Sequence, residues 1–171
     1  MIDLLYLFCI YSVLGWVVEV LFFLIKTGKL QKRGILNGAY CPLYGFSLVI
    51  STIVVSNTIN NIFFEFLICA VICTFFELIT GLVFDKVLHH KMWDYNNIKY
   101  NFGGYICLPF AIIWGISALA CIKILNPLLL NMVAGEGFLI KLIISVAVIA
   151  FMSLDLFSNM IERKEKHHGQ N

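Results

Sequence analysis

Residues 4–33 read LLYLFCIYSVLGWVVEVLFFLIKTGKLQKR, an apolar run from Leu4 to Ile25 closed by Lys26, Lys29, Lys32 and Arg33. A helix of about 20 residues crosses the roughly 30 Å hydrocarbon core of a bilayer, so this run predicts a membrane span ending in a cationic loop. The same pairing recurs twice: Lys86, Lys91 and Lys99 follow one long run, and Arg163, Lys164 and Lys166 follow the last. Ten of the 12 Lys and Arg residues fall in these three segments, with Lys123 and Lys141 standing apart. Cationic loops near span ends stay in the cytoplasm, which predicts one shared side for all three.

Composition agrees. The 171-residue chain is 61% hydrophobic and only 13% charged, against roughly 25% charged in soluble domains, and its mean hydropathy is +0.92. An all-α polytopic membrane protein is predicted. The runs are continuous, without the period-2 alternation of a lipid-facing barrel. The net charge of +2 is not gathered on a basic face, so no nucleic-acid partner is expected.

Five spans are predicted, near Leu4–Ile25, Pro42–Ser56, Ile62–Phe84, Gly104–Leu125 and Phe138–Ser158. The second is short unless it runs on through Asn57 and Thr58. An odd number of spans places the N-terminus outside and the C-terminus in the cytoplasm, with residues 57–61 and 126–137 as outer connections. A membrane domain is expected over 1–158 and a polar, basic cytoplasmic tail over 159–171. The first span has Asp3 in place of a basic n-region and no small-residue cleavage site, so it is expected to be retained.

Two stretches resemble each other. Gly38-Ala39-Tyr40-Cys41-Pro42 leads into the second span, and Gly104-Tyr105-Ile106-Cys107-Leu108-Pro109 into the fourth. The preceding spans carry Glu19 with Thr27-Gly28 and Glu77 with Thr80-Gly81. Two parallel helix hairpins plus a fifth helix would account for this, as would chance similarity of interfacial residues. Pro42 suits a first helical turn. Pro109, placed a turn inside the fourth span, is expected to kink it or free a carbonyl.

The chemistry predicted inside the membrane is acidic. Glu19, Glu77 and Asp155 each lie seven to nine residues before a cytoplasmic cation, which puts them at a common depth about 10–14 Å from it. A carboxylate at the bilayer centre costs about 2.5–3.5 kcal/mol on insertion scales, so these side chains are expected to face the bundle or a polar path. Ser12, Gly15 and Trp16 share the stripe of Glu19; Ala70, Cys73, Thr74, Thr80 and Gly81 share that of Glu77. With no Lys or Arg deep in a span, the carboxylates are expected to be protonated, hydrogen-bonded, reached by Arg33, or occupied by a cation or proton. A purely packing role is the alternative. Glu65, near the outer interface, is expected to be solvated.

Tyr40, Tyr44, Trp93, Tyr95, Tyr100 and Tyr105 fit an interfacial aromatic belt. Trp16 and Trp114 are in mid-span beside glycines and need partners for their indole N–H groups. The six cysteines, at 9, 41, 69, 73, 107 and 121, form no C-x-x-C pair, and packing accounts for them. Asp85, His89, His90 and Asp94 lack a recognised metal spacing, so neither metal nor cofactor is expected. There is no G-x-x-x-x-G-K-[ST] loop, no G-x-S-x-G elbow and no H-E-x-x-H pair, and no catalytic residue can be assigned.

Several strings taken together resemble a known family: Gly15-Trp16-Val17-Val18-Glu19; Arg33-Gly34-Ile35-Leu36-Asn37-Gly38-Ala39-Tyr40-Cys41-Pro42-Leu43-Tyr44-Gly45; Glu77-Leu78-Ile79-Thr80-Gly81; Trp93-Asp94-Tyr95; Asn101-Phe102 with Gly104-Tyr105-Ile106-Cys107-Leu108; and Trp114-Gly115. In this order, from about Leu5 to Leu125, the chain resembles the putative ABC-transporter permeases, type IV, of small bacterial membrane proteins. Ala39 stands where that pattern often has Pro, and Met92 where it has a second aromatic. The resemblance implies the bacterial cytoplasmic membrane and a permease-type transport subunit of unknown substrate.

The polar path would then draw on Glu19, Glu77, Asp155, Trp16, Trp114, Arg33, Asn37, Tyr40 and Asp94. Five spans are few for a transporter, so a homo-oligomer or other membrane subunits are expected, with a separate cytoplasmic ATPase docking on the basic loops. Two other readings stand beside this one. One is a membrane-embedded enzyme acting on lipid or lipid-linked substrate, with Glu77 or Asp94 as acid or base and Arg33 or Lys32 on a phosphate. The other is a non-catalytic assembly or regulatory protein.

Overall fold

The computed structural model describes residues 1–29, 36–57, 61–86 and 91–168, the last of these without the side chains of residue 160 and of 162 onward. The elements are α1 (Ile2–Thr27), α2 (Pro42–Ser56), α3 (Ile62–Lys86), β1 (Asn101–Phe102), β2 (Ile106–Cys107), α4 (Leu108–Ala120), a π-helical turn (Cys121–Leu125), α5 (Asn126–Val133) and α6 (Phe138–His168). The chain is an all-α polytopic membrane protein. Four helical stretches are long and apolar enough to cross a bilayer, namely Ile2–Thr27, Ile62–Lys86, Leu108–Val133 and Phe138–Asn159, and α2 is a shorter apolar helix. In Ile2–Thr27 only 22% of the most apolar window is buried within the protein, so side chains such as Val18, Leu21 and Phe22 need lipid or a partner around them.

Two compact units divide the chain, one from residues 1–45 and 136–171, the other from 46–135. In the first, α1 packs along α6. Leu7, Cys9, Tyr11 and Ser12 are buried on α1, and the Cys9 thiol points at the Ser145 carbonyl 3.8 Å away. Gly28 ends α1 in the left-handed region at φ 68°, its N–H donating to Leu24 O at 2.8 Å. The chain returns to α1 where Cys41 N–H donates to Ser12 O at 2.7 Å. In the second unit, α3 packs along α4.

The two units reuse one helix contact. A Cβ on Gly45 would collide with Ser12 and Phe8, and one on Gly115 would lie 2.8 Å from both Ala70 Cβ and Phe66. Phe8 and Ser12 stand in the same register to Glu19 as Phe66 and Ala70 do to Glu77. Small residues that let backbones close up are the usual cement between membrane helices, and here each unit has its glycine opposite the same stripe.

The fourth span differs from expectation at both ends. Residues 101–107 form a β-hairpin, with Asn101 paired to Cys107 and Phe102 to Ile106, so the helix starts at Leu108, not Gly104. Pro109 therefore falls in the first turn, where its missing N–H costs nothing and no kink follows. At the far end, the helical path runs on through Asn126 and Pro127 to Val133 in place of an outer loop. The π turn makes this feasible. A proline ring clashes with the carbonyl four residues back, here that of Lys123, and the wider turn, in which Asn126 N–H donates to Cys121 O, opens space at that step.

Candidate functional site

In the first unit, Glu19 is half-buried on α1, and the Tyr44 hydroxyl donates to its Oε1 at 2.8 Å. Gly15, one turn earlier, has the Tyr44 ring against it with no room for a Cβ. The ring thus lies along the Gly15–Glu19 face, and the phenol reaches the carboxylate because the intervening position is bare. Tyr44, expected only in the aromatic belt, is the partner of an intramembrane glutamate.

Asp155 occupies a different cluster of the same unit. Its Oδ2 accepts the Gly38 N–H at 2.8 Å and the Tyr40 hydroxyl at 2.9 Å, while its Oδ1 accepts the Asn159 amide at 2.7 Å. Asn37 donates to Asn159 Oδ1 at 3.4 Å. One carboxylate on α6 therefore fastens residues 37–40 after α1. Burial, and secondarily the Asp155 carboxylate, push the Tyr40 phenol up to about 12.

In the second unit, Glu77 is buried on α3 and its Oε1 accepts the Tyr95 hydroxyl at 3.0 Å. Glu77 lies nine residues before Lys86 at the end of α3, about 13 Å along the helix, so the loop carrying Tyr95 folds back along α3 to reach it. Several contacts hold it there. Tyr95 stacks on Phe110 with ring centroids 4.8 Å apart and planes 14° from parallel. Tyr95 N–H donates to Gly104 O at 2.9 Å, and the Trp93 indole donates to Tyr105 O at 2.7 Å. Gly104, at φ 74°, would place a Cβ 2.5 Å from Asp94 Oδ1, so both its conformation and its neighbour demand glycine.

Asp94 holds the turn. Its Oδ1 accepts the Asn96 N–H at 2.9 Å and lies 3.2 Å from the Lys91 ammonium. The Asn96 N–H, helped by Lys91, keeps this exposed carboxyl below the ordinary aspartate range. Tyr105, whose hydroxyl donates to Asp85 Oδ2, has its phenol pushed up by that carboxylate.

Two ion pairs were not legible as such. Glu65, expected to be solvated, is 2% exposed, and the Lys123 ammonium sits 2.8 Å from each of its carboxylate oxygens. It makes an aligned hydrogen bond to Oε1; Oε2 has the ion-pair contact without that alignment. Lys123 thus lies well inside the helical stretch Leu108–Val133, correcting the expectation that no cation sits deep in a span. Likewise Lys141, nearly buried, pairs with Asp3 at 2.6 Å. Sequence spacing does not reveal such pairs, because their members lie far apart in the chain on different helices.

Of the remaining expected residues, Trp16 has a buried indole Nε1 with no hydrogen-bond partner among the described residues. Thr74, in the same register to Glu77 as Trp16 to Glu19, has an equally unpartnered hydroxyl. Trp114 packs beside Phe110 at 6.2 Å. Arg33, Lys32, His89 and His90 lie outside the described residues. Glu19 and Asp155 share one unit but have separate partners, and Glu77 belongs to the other unit.

Among known proteins, the model of a family described as "Putative ABC-transporter type IV" matches residues 6–160. No curated protein and no solved structure gives a match.

Proposed function

The chain belongs to the putative ABC-transporter type IV family, and from that premise we propose that it is a permease-type subunit in which Glu19 of the first unit and Glu77 of the second each serve as a polar-path residue within their own unit. One observation carries this reading: each unit has a glutamate within an apolar helix, and each glutamate accepts a phenol from chain that comes after its own helix, Tyr44 on α2 in one and Tyr95 in the loop after α3 in the other. A carboxylate in an apolar helix is costly, and a phenol donor lowers that cost while leaving the group able to exchange a proton or a cation. Trp16 and Thr74, one turn away with spare donors, supply further hydrogen bonds to a passing solute. Asp155, Asn37 and Tyr40 act as the clasp that sets the first loop.

The orientation we infer has the N-terminus outside and the C-terminus in the cytoplasm, supported by the cation distribution, with a membrane domain over 1–158 and 159–171 as its basic tail. The abundant exposed apolar surface supports assembly with a second copy or with other membrane subunits, and the basic loops suit a separate ATPase. Asp94 gives the enzyme reading little support: an exposed carboxyl held below its ordinary range by the Asn96 N–H and Lys91 is a weak acid–base catalyst near neutral pH.

The test is growth complementation of a strain lacking the gene, scored beside membrane abundance. Glu77→Gln and Glu19→Gln should abolish function at normal abundance. Full complementation by both would make the carboxylates packing residues and end the path assignment.

A further inference from the structure

The Glu65–Lys123 pair faces a cavity of about 600 Å3 at the end of the second unit opposite the 91–107 loop, lined also by Thr52, Val55, Asn126 and Asn131. We propose that this cavity binds a ligand carrying an oxyanion, a carboxylate or phosphate group, with Lys123 as its contact.

The arrangement is directional. The Glu65 side chain is 3% exposed and that of Lys123 44%, so the carboxylate stands behind and the ammonium in front. An ammonium has three donors; two oxygens of Glu65 lie at 2.8 Å behind it, and the exposed side remains for an incoming acceptor. The wall is set before any ligand arrives, since the Asn126 amide donates to Thr52 Oγ1 at 2.9 Å. The π turn Cys121–Leu125 carries Lys123 on its bulge, and such single-turn bulges are frequent at functional sites. The volume lies within the roughly 300–1,000 Å3 of small-molecule sites. The pair is packed on its carboxylate side, and its cation faces the cavity.

Glu65 also sets the strength of the site. It neutralises the lysine and so restrains anion affinity, while holding the ammonium in place. Removing the carboxylate and keeping the lysine should therefore tighten oxyanion binding, an effect opposite in sign to its cost in stability.

Full-length protein in phosphate-free non-ionic detergent is titrated by calorimetry with inorganic phosphate, with acetate and with a short-chain phosphatidylglycerol. Saturable binding of the wild type is expected for at least one probe: the lipid alone would identify a headgroup site, either free ion a solute site. Glu65→Gln should tighten it several-fold. Because removing Lys123 alone strands a buried carboxylate, the comparison is the double variant Glu65→Gln/Lys123→Met, which drops both charges at similar volume and should weaken binding about tenfold or more, the loss of one charge-assisted hydrogen bond. No saturable binding to the wild type, or equal binding by the folded double variant, would overturn the proposal.

Discussion

The Tyr95 hydroxyl donates to Glu77 Oε1 at 3.0 Å from a loop eighteen residues further along the chain. The contact joins a folded-back loop to a buried carboxylate, because each satisfies a polar group of the other. Tyr95→Phe keeps the stacking on Phe110 and removes only that bond. It should lower stability by about 1–2 kcal/mol, read as a drop in thermal midpoint in detergent. In a cycle with Glu77→Gln the two changes should be non-additive by a comparable amount; additive effects would mean that the hydrogen bond carries no energy.

Glycines of like conformation should respond differently to alanine. At Gly28, with φ 68°, an added methyl would meet nothing within 4 Å, while at Gly104, with φ 74°, it would meet Asp94 Oδ1 at 2.5 Å. Gly28→Ala should cost about 1 kcal/mol from backbone conformation alone. Gly104→Ala should cost clearly more and expose the 91–107 loop to limited proteolysis. Equal thermal midpoints for the two variants would show that the Asp94 contact is soft.

Tyr40 should be a late-titrating phenol at high pH. An unfolded tyrosine ionises near 10.0 and Tyr40 at about 12, so across that window the unfolded chain has lost a proton that the folded one keeps. The stabilising contribution is complete below 10.0 and is lost as pH rises through the folded value. Phenolate absorbance should show a late-rising component that Tyr40→Phe reduces; an unchanged curve would contradict the burial of the Tyr40 phenol beside Asp155.

Topology is testable with fusions. A reporter after Lys166 should be active in its cytoplasmic form, and one at Gly135, in the connection between α5 and α6, in its exported form. A cytoplasmic signal at Gly135 would move the Glu65–Lys123 cavity to the inner side and break the cation rule on which the orientation rests.

Whatever depends on continuous local pattern is legible in the sequence. The runs around Glu19 and Glu77 announce helices, and the burial cost of a carboxylate marks both residues without reference to fold. The partners do not show, since Tyr44 and Tyr95 look like any interfacial aromatic until the bare face at Gly15 and the folded-back loop bring them to the glutamates. Glu65 reads as solvated because a place near the outer interface suggests water, and Lys123 reads only as standing apart from the cation clusters because its counter-ion lies on another helix. Pro109 is displaced by one element: the hairpin at 101–107 is too short for any periodicity to reveal, and it moves the helix start to the proline.

The extra residue in the turn Cys121–Leu125 acts as a phase shift. A helix advances about 100° per residue, so one added position rotates everything beyond it against everything before it. The segment before the shift aims Gly115 at Ala70 of α3; the segment after it aims Asn126 at Thr52 of α2. An unbroken helix would put Gly115 and Asn126 on one stripe; the shift turns the single rod to two neighbours. Substitutions along this helix can be tuned one at a time, whereas a one-residue deletion in the turn would swing Lys123, Asn126 and Asn131 together, making length there a stricter inheritance than identity.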